Sequence, residues 1–313
     1  MKQVKRSVET VTNAASDEAK QLKERLTVLW NDLEHWQQDN HYIRSGYRPA
    51  SNSVRKSARS LAYIHNETVN IYSHLLGSIA AIVGSAFLYR ELAARYETAS
   101  REDVFVFGCF FLGAAMCLTL SAWFHTVANH SPNVHQFSNK LDYLGIVFLI
   151  WGSFIPSIYY GFREHPRLIK TYWVMITTIS ACCAEVVMSP KFASSKYRPL
   201  RATMFIAMGL SGVIPVLHGT RLYELSRIDE LISLRWMATQ GALYIIGAII
   251  YACRVPERLK PGHFDIWGSS HQIFHFFVLI AACCHLVGVI KAFDSLHRTG
   301  QHPKLDFLGW SIS

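Results

Sequence analysis

Seven long apolar runs constrain this chain more than any other feature of its sequence. A helix needs roughly 20 predominantly apolar residues to cross the hydrocarbon core of a bilayer. Stretches of that length fall near residues 69–89, 104–125, 141–162, 169–189, 202–220, 236–253 and 270–292. The chain is therefore expected to be an all-α, polytopic membrane protein built as a seven-transmembrane helix bundle. Only 17% of its residues are charged, where a soluble domain carries about a quarter. An eighth span would have to come from the N-terminal segment, which is too polar.

The runs divide the chain into an N-terminal tail (1–68), the bundle (69–292) and a short C-terminal tail (293–313). The opening Met1-Lys2-Gln3-Val4-Lys5-Arg6 leads into no apolar run, so no cleavable signal is expected and the first span inserts the chain. Within the tail, Leu22, Leu26, Leu29, Leu33 and Trp36 recur at spacings of four, three, four and three. That pattern predicts an N-terminal amphipathic helix, read here as a cap on its own bundle, broken by Gly46 and Pro49. In span one, Gly77, Ser78, Ala81, Gly84 and Ser85 form a row suited to close helix contact. Pro156 and Pro215 fall inside spans three and five, a position membrane helices tolerate. The seven cysteines sit within or at the ends of spans; no C-x-x-C pair occurs, so free thiols are expected.

The net charge of +9 is spread over tail and loops, notably Arg55, Lys56 and Arg59 before span one, and Lys191, Lys196, Arg198 and Arg201 after span four. Lipid phosphates are the natural partners of such charges. No basic groove or recognition module accompanies them, so nucleic acid is excluded as a partner. Lysines and arginines are nearly balanced between the two sides, and the positive-inside rule does not choose an orientation. Two sequons, Asn66-Glu67-Thr68 and Asn129-His130-Ser131, share the side of the N-terminus.

Connectivity then gathers an unusual set of side chains. His125 closes span two in Ser121-Ala-Trp-Phe-His125, Asp142 opens span three, and His271 and His275 open span seven. With seven spans, all four lie on one side at similar depth. His271 and His275 are one helical turn apart and project from one face, and Ser121 bears the same relation to His125. An isolated intramembrane histidine often only bonds to a neighbouring helix. Three histidines with an aspartate point instead to a metal site with one position open to water. Zinc suits neutral imidazoles, although ligand type alone also admits copper, nickel or iron. Asp142 is placed to bond the water or an imidazole. His285, Cys284 and His218 read as structural or substrate-lining groups, and His130, His135 and His263 as loop residues.

Three motifs then resemble a known family. Asn66-Glu67-Thr68-Val69-Asn70-Ile71-Tyr72-Ser73-His74-Leu75-Leu76-Gly77 is similar to the first signature of the progestin and adipoQ receptor family. Ser121 to His125, His130-Ser131 and Leu141-Asp142-Tyr143-Leu144-Gly145-Ile146 resemble its second signature. Gly268-Ser269-Ser270-His271-Gln272-Ile273-Phe274-His275 resembles its third. The likeness runs from about Tyr42 to the end of span seven, and the short tails look like those of a fungal or haemolysin-III-type member. The resemblance implies a cytoplasmic N-terminus, a zinc ion near the cytoplasmic face and silent sequons, in an endoplasmic reticulum or plasma membrane protein. It also implies kinship with alkaline ceramidases, whose Ser, Asp and three His pattern matches Ser121, Asp142, His125, His271 and His275. Fungal relatives are implicated in lipid and sterol metabolism and in zinc homeostasis.

The leading expectation is zinc-dependent hydrolysis of a ceramide-like amide, linked to lipid metabolism and signalling. His125, His271 and His275 would hold the metal, with Asp142 as general base and Ser121 as oxyanion donor. The alternatives are a receptor for an extracellular ligand, whose zinc only staples the helices, and a regulator of zinc homeostasis. A zinc transporter fits least, because no chain of acids or histidines crosses the bundle.

Overall fold

The computed structural model describes residues 26–192 and 197–298. Their helices are α1 (Val54–Arg59), α2 (Thr68–Arg95), α3 (Arg101–Val127), α4 (Pro132–Gly161), α5 (Pro166–Met188), α6 (Arg198–Leu210), α7 (Val213–Leu222), α8 (Leu225–Ile232), α9 (Leu234–Cys253) and α10 (Ser270–Arg298). Seven helical stretches are long and apolar enough to cross a membrane, as the sequence led one to expect. The fifth combines α6 and α7, which are separated by a turn at Ser211 and Gly212. Pro215 follows that turn; it has no N–H to give to the Ser211 carbonyl, and its ring crowds that group.

Several helices outrun their apolar cores. Hydropathy registers only the stretch that sees lipid, whereas the backbone ladder continues until something stops it. Thus α4 starts at Pro132 rather than near 141, with proline at the first helical position, where a missing N–H costs nothing. Asp142 therefore lies well inside a helix, not at its start. Likewise α10 runs to Arg298, past the expected end near 292.

The central member is α3, the most buried span, and α9 is the least buried. Along α3, Val106, Phe110, Ala114, Cys117 and Leu118 pack against Val147, Leu149, Ile155, Ile158 and Tyr159 of α4 in the main core. Glycines permit this contact: a Cβ on Gly152 would lie 2.5 Å from the Cys109 carbonyl oxygen, and one on Gly145 2.8 Å from the Cys117 Cα. The small residues of span one are only partly used this way. A Cβ on Gly77 would meet Leu279 and Leu118, while Gly84 faces open space. Exposed Leu112, Val174, Ile249 and Ile280 form part of the outer apolar surface, which lipid covers without penalty. All seven cysteines are free.

The tail corrects one expectation. Leu22 lies outside the described residues, as do the rest of 1–25, 193–196 with Lys196, and 299–313; Leu26 is helical, but Leu29, Leu33 and Trp36 do not continue that helix. Val28 forms an antiparallel bridge with Tyr47, and short 3-10 turns occupy Trp30–Asp32 and His35–Gln37. The backbone of 28–30 finds its partners across the chain, at Tyr47 and Arg44, and this nonlocal pairing displaces the local helix. The folded-back segment still covers one end of the bundle. Trp36 meets His135 at 5.4 Å between ring centroids, and Ser51 and Asn52 donate to the carbonyls of Asn129 and His130.

At the opposite end a buried polar clasp joins three spans. Asp103, in a capping box with Ser100 at the start of α3, accepts from the Tyr160 hydroxyl of α4 at 2.8 Å. It also lies 3.1 Å from His297 Nε2 of α10. His297 Nδ1 is 2.9 Å from Thr98 Oγ1, and Tyr96 stacks on its ring. Asp103→Asn presents an amide N–H to donors and should cost about 3 kcal/mol, as for other broken buried pairs. We expect a lower thermal midpoint in detergent for this variant; an unchanged midpoint would remove the clasp from the list of stabilising features.

Candidate metal centre

The first turns of α10 and the last turns of α3 meet beneath the folded-back tail. His125 and His275 are buried there and His271 is half-buried. One ligating nitrogen from each lies within 4.8 Å of the others. Helical spacing accounts for two of the three, since His271 and His275 share a face of α10. The third comes from α3, which reaches this end because it crosses antiparallel to α2 and α4.

The nitrogens are arranged as a metal site requires. His125 Nε2 and His271 Nε2 are 3.1 Å apart. Two nitrogens bound to one tetrahedral ion at ~2.0–2.1 Å would be separated by roughly 3.3 Å. The outward nitrogen of His125 is engaged: Nδ1 lies 2.7 Å from Glu67 Oε2. A carboxylate there accepts from Nδ1–H and leaves the Nε2 lone pair for the centre of the cluster, as a carboxylate behind a ligating imidazole usually does. Ser73 Oγ lies 3.2 Å from His275 Nδ1 and so leaves Nε2 of that ring for the cluster. The donor set therefore fits a divalent ion bound by three histidines.

Ser121 and Asp142 adjoin the cluster. Asp142 is close enough to Ser121 to interact with it, and Ser121 Oγ is 2.8 Å from His74 Nδ1. His74 in turn stacks on His275, with ring centroids 3.6 Å apart and planes 11° from parallel. The groups singled out in the sequence thus come together, although Asp142 does so from the interior of α4. Of the other histidines, His218 pairs with Tyr172 at 2.6 Å and His285 packs against Phe110; both lie away from this centre.

Sequence reasoning gave no part in the metal centre to the polar residues at the start of α2. Glu67, Asn70, His74 and Ser78 recur at spacings of three, four and four, a polar stripe along an otherwise apolar span. That stripe was the available signal. Asn70 Nδ2 donates to Glu67 Oε2 at 2.6 Å, and Ser78 bonds Thr119 of α3 at 2.6 Å. Burial alone would raise the Glu67 carboxyl, but the His125 imidazole and the Asn70 amide outweigh it and hold it well below the usual carboxylate range. Glu67 is therefore an anion at neutral pH. His65, two residues earlier, is pushed down to about 3 by burial and by the Arg48 charge. It stays neutral, its Nδ1 accepting from the Glu67 N–H at 3.1 Å.

A family model described as haemolysin-III related matches residues 62–286. The chain belongs to that family. The resemblance to progestin and adipoQ receptors is borne out by its relatives, and the chain is a fungal-type member. The ADIPOR-like receptor IZH2 of Saccharomyces cerevisiae is 38% identical over 299 residues, covering 95% of this chain and 94% of that protein. The adiponectin receptor protein of Drosophila melanogaster is 40% identical over 284 residues, 88% of this chain and 63% of the fly protein. The heptahelical transmembrane protein 1 of Arabidopsis thaliana is 34% identical over 285 residues, covering 90% of this chain and 85% of the plant protein. This adiponectin-receptor-like chain is an integral multi-pass membrane protein.

Glu67 offers a direct check on the site. Glu67→Gln keeps the shape but removes the anion that orients His125. Its affinity for a divalent metal ion, titrated against a chelator, should fall about 10- to 100-fold. Wild-type affinity would show that the carboxylate does not tune this imidazole.

Proposed function

We propose that this member of the family is a zinc-dependent amidase of ceramide-like lipids. The convergence of three imidazoles with the adjacent Ser121 and Asp142 carries the reading. Three neutral imidazoles suit zinc, and three protein ligands leave a coordination position that structural zinc sites normally close. When bound, zinc polarises a carbonyl oxygen and brings the acidity of water close to neutral pH.

His125, His271 and His275 hold the ion, with Glu67 and Ser73 setting two of the rings. Asp142 orients the attacking water, takes its proton as general base, and returns that proton to the amide nitrogen as the C–N bond breaks and the amine leaves. Ser121 is fixed between Asp142 and His74. It donates to the carbonyl oxygen as negative charge develops there, and a positioned donor helps most at that moment. The apolar helices supply walls for acyl and sphingoid chains, whose burial provides most of the binding.

A second reading is favoured by the names of the yeast and fly relatives, which call them receptors. In it, the ion staples α3 to α10, and a ligand on the opposite face changes their packing. Incubating the purified protein with labelled ceramide and measuring fatty-acid release separates the two. The amidase reading expects release by wild type that is abolished in Asp142→Ala and His271→Ala. Zinc-loaded wild type that releases no more than these variants would leave the receptor reading standing.

The same reading puts the N-terminus and the metal centre on the cytoplasmic side, in the endoplasmic reticulum or plasma membrane. Asn129 is buried, with its Nδ2 on the Pro49 carbonyl and its Oδ1 accepting from Ser57. Neither Asn66 nor Asn129 should gain a glycan when the chain is made in microsomes. A mass shift abolished by Asn129→Gln would place this end in the lumen.

A further inference from the structure

Arg48 is 3% exposed, and its guanidinium reaches the end of α3 at His125. One guanidinium nitrogen donates to the Thr126 carbonyl at 2.9 Å and to Ser60 Oγ at 2.8 Å. The other donates to the carbonyl of His125 itself at 2.6 Å. These carbonyls belong to the last turn of α3, where backbone acceptors have no partner within the helix and a cation is favoured. At membrane depth, where water is scarce, such acceptors need a donor from the protein.

The segment that carries Arg48 also grips the loop that leads into the other ligand-bearing helix. Arg44 N–H and Ser45 Oγ donate to Asp265 at 2.9 and 2.6 Å. Asn40 Nδ2 donates to Glu257 Oε1 at 3.1 Å. Glu257 is buried in turn, accepting from the backbone N–H of Ser270 at 2.8 Å and from the Ser270 hydroxyl. Ser270 begins α10 and precedes His271. Residues 40–48 therefore touch the end of α3 directly and reach the start of α10 through Glu257.

We propose that Arg48 is a positioning residue of the metal centre, holding the end of α3 so that His125 presents Nε2 to His271 and His275. The inference rests on the metal reading of those three histidines. Glu67 sets the ring of His125 from one side and Arg48 sets its backbone from another, so together they remove most of its freedom. Burial brings the guanidinium down to about 10, opposed by the nearby Glu67, and it remains a cation at neutral pH. Lysine would keep the charge, but its single nitrogen lacks the planar fork that reaches two carbonyls and a hydroxyl together.

The experiment uses the full chain in detergent, as wild type, Arg48→Lys and Arg48→Met. Zinc affinity is measured by chelator competition and ligand geometry by the visible d–d bands of the cobalt(II) form. The expected result for Arg48→Lys is a loss of about 10-fold in zinc affinity with altered cobalt bands, and a larger loss for Arg48→Met. Should Arg48→Met fail to fold, Arg48→Lys decides alone. Wild-type affinity and bands in folded Arg48→Lys would overturn the proposal, even if the thermal midpoint drops. His125→Ala and His275→Ala are measured alongside. Undiminished zinc in those two would instead show that the metal reading has failed, whatever Arg48 does.

Discussion

At the depth of the histidine cluster, a polar group that the protein leaves unpartnered has almost no water to turn to. That constraint organises one whole end of the bundle. His125 can sit there because Glu67 receives its Nδ1–H and because its backbone carbonyl is taken by Arg48. Glu67 is in turn steadied by Asn70, and Ser121 by His74. Each polar side chain brings in another until the network reaches the folded-back tail. The cluster is thus the innermost part of a continuous polar assembly drawn from α2, α3, α4, α10 and the segment before α1.

The rest of the fold follows from where that assembly must be. The central helix α3 joins its two polar ends, with His125 at one and Asp103 at the other. At both ends the partner helix is α10, which offers His271 and His275 near its start and His297 near its finish. Between the ends, contact is apolar and close, and glycines on α3 and α4 let the backbones approach. The least buried span is α9, while α2, which brings Asn70, His74 and Ser78 to the network, also leaves most of its span outside the protein interior. Apolar side chains gain little by leaving lipid for the protein interior, so a span can hold polar groups on one face and stay largely unburied.

Much of the candidate site was legible beforehand, because helical periodicity and span parity are local rules. The i, i+4 spacing of His271 and His275 places them together whatever else the chain does. The four crossings between the end of span two and the start of span seven return the chain to the side of His125. The stripe through Glu67, Asn70 and His74 obeys the same periodicity and was open to the same reading. Arg48 was not, because nothing within reach along the sequence announces that a residue far from His125 will donate to its carbonyl. The tail misled for a related reason. Its leucines recur at helical spacing, yet the backbone of 28–30 pairs with Arg44 and Tyr47, and a nonlocal partner outweighs a local pattern.

What the sequence determined alone is therefore whatever follows from length, hydropathy and period: seven helical crossings, their alternation, and the end of the bundle at which three histidines, Asp142 and Ser121 collect. The tertiary structure decided which atoms face one another. It set His125 Nε2 opposite His271 Nε2, gave Glu67 and Arg48 to His125, and brought Asp142 to Ser121 from the interior of α4 rather than from its start. The physical reason is that hydropathy and periodicity act along one helix at a time, whereas hydrogen-bond partners are chosen by distances between helices. Those distances exist only once the bundle has packed and the tail has folded over its end.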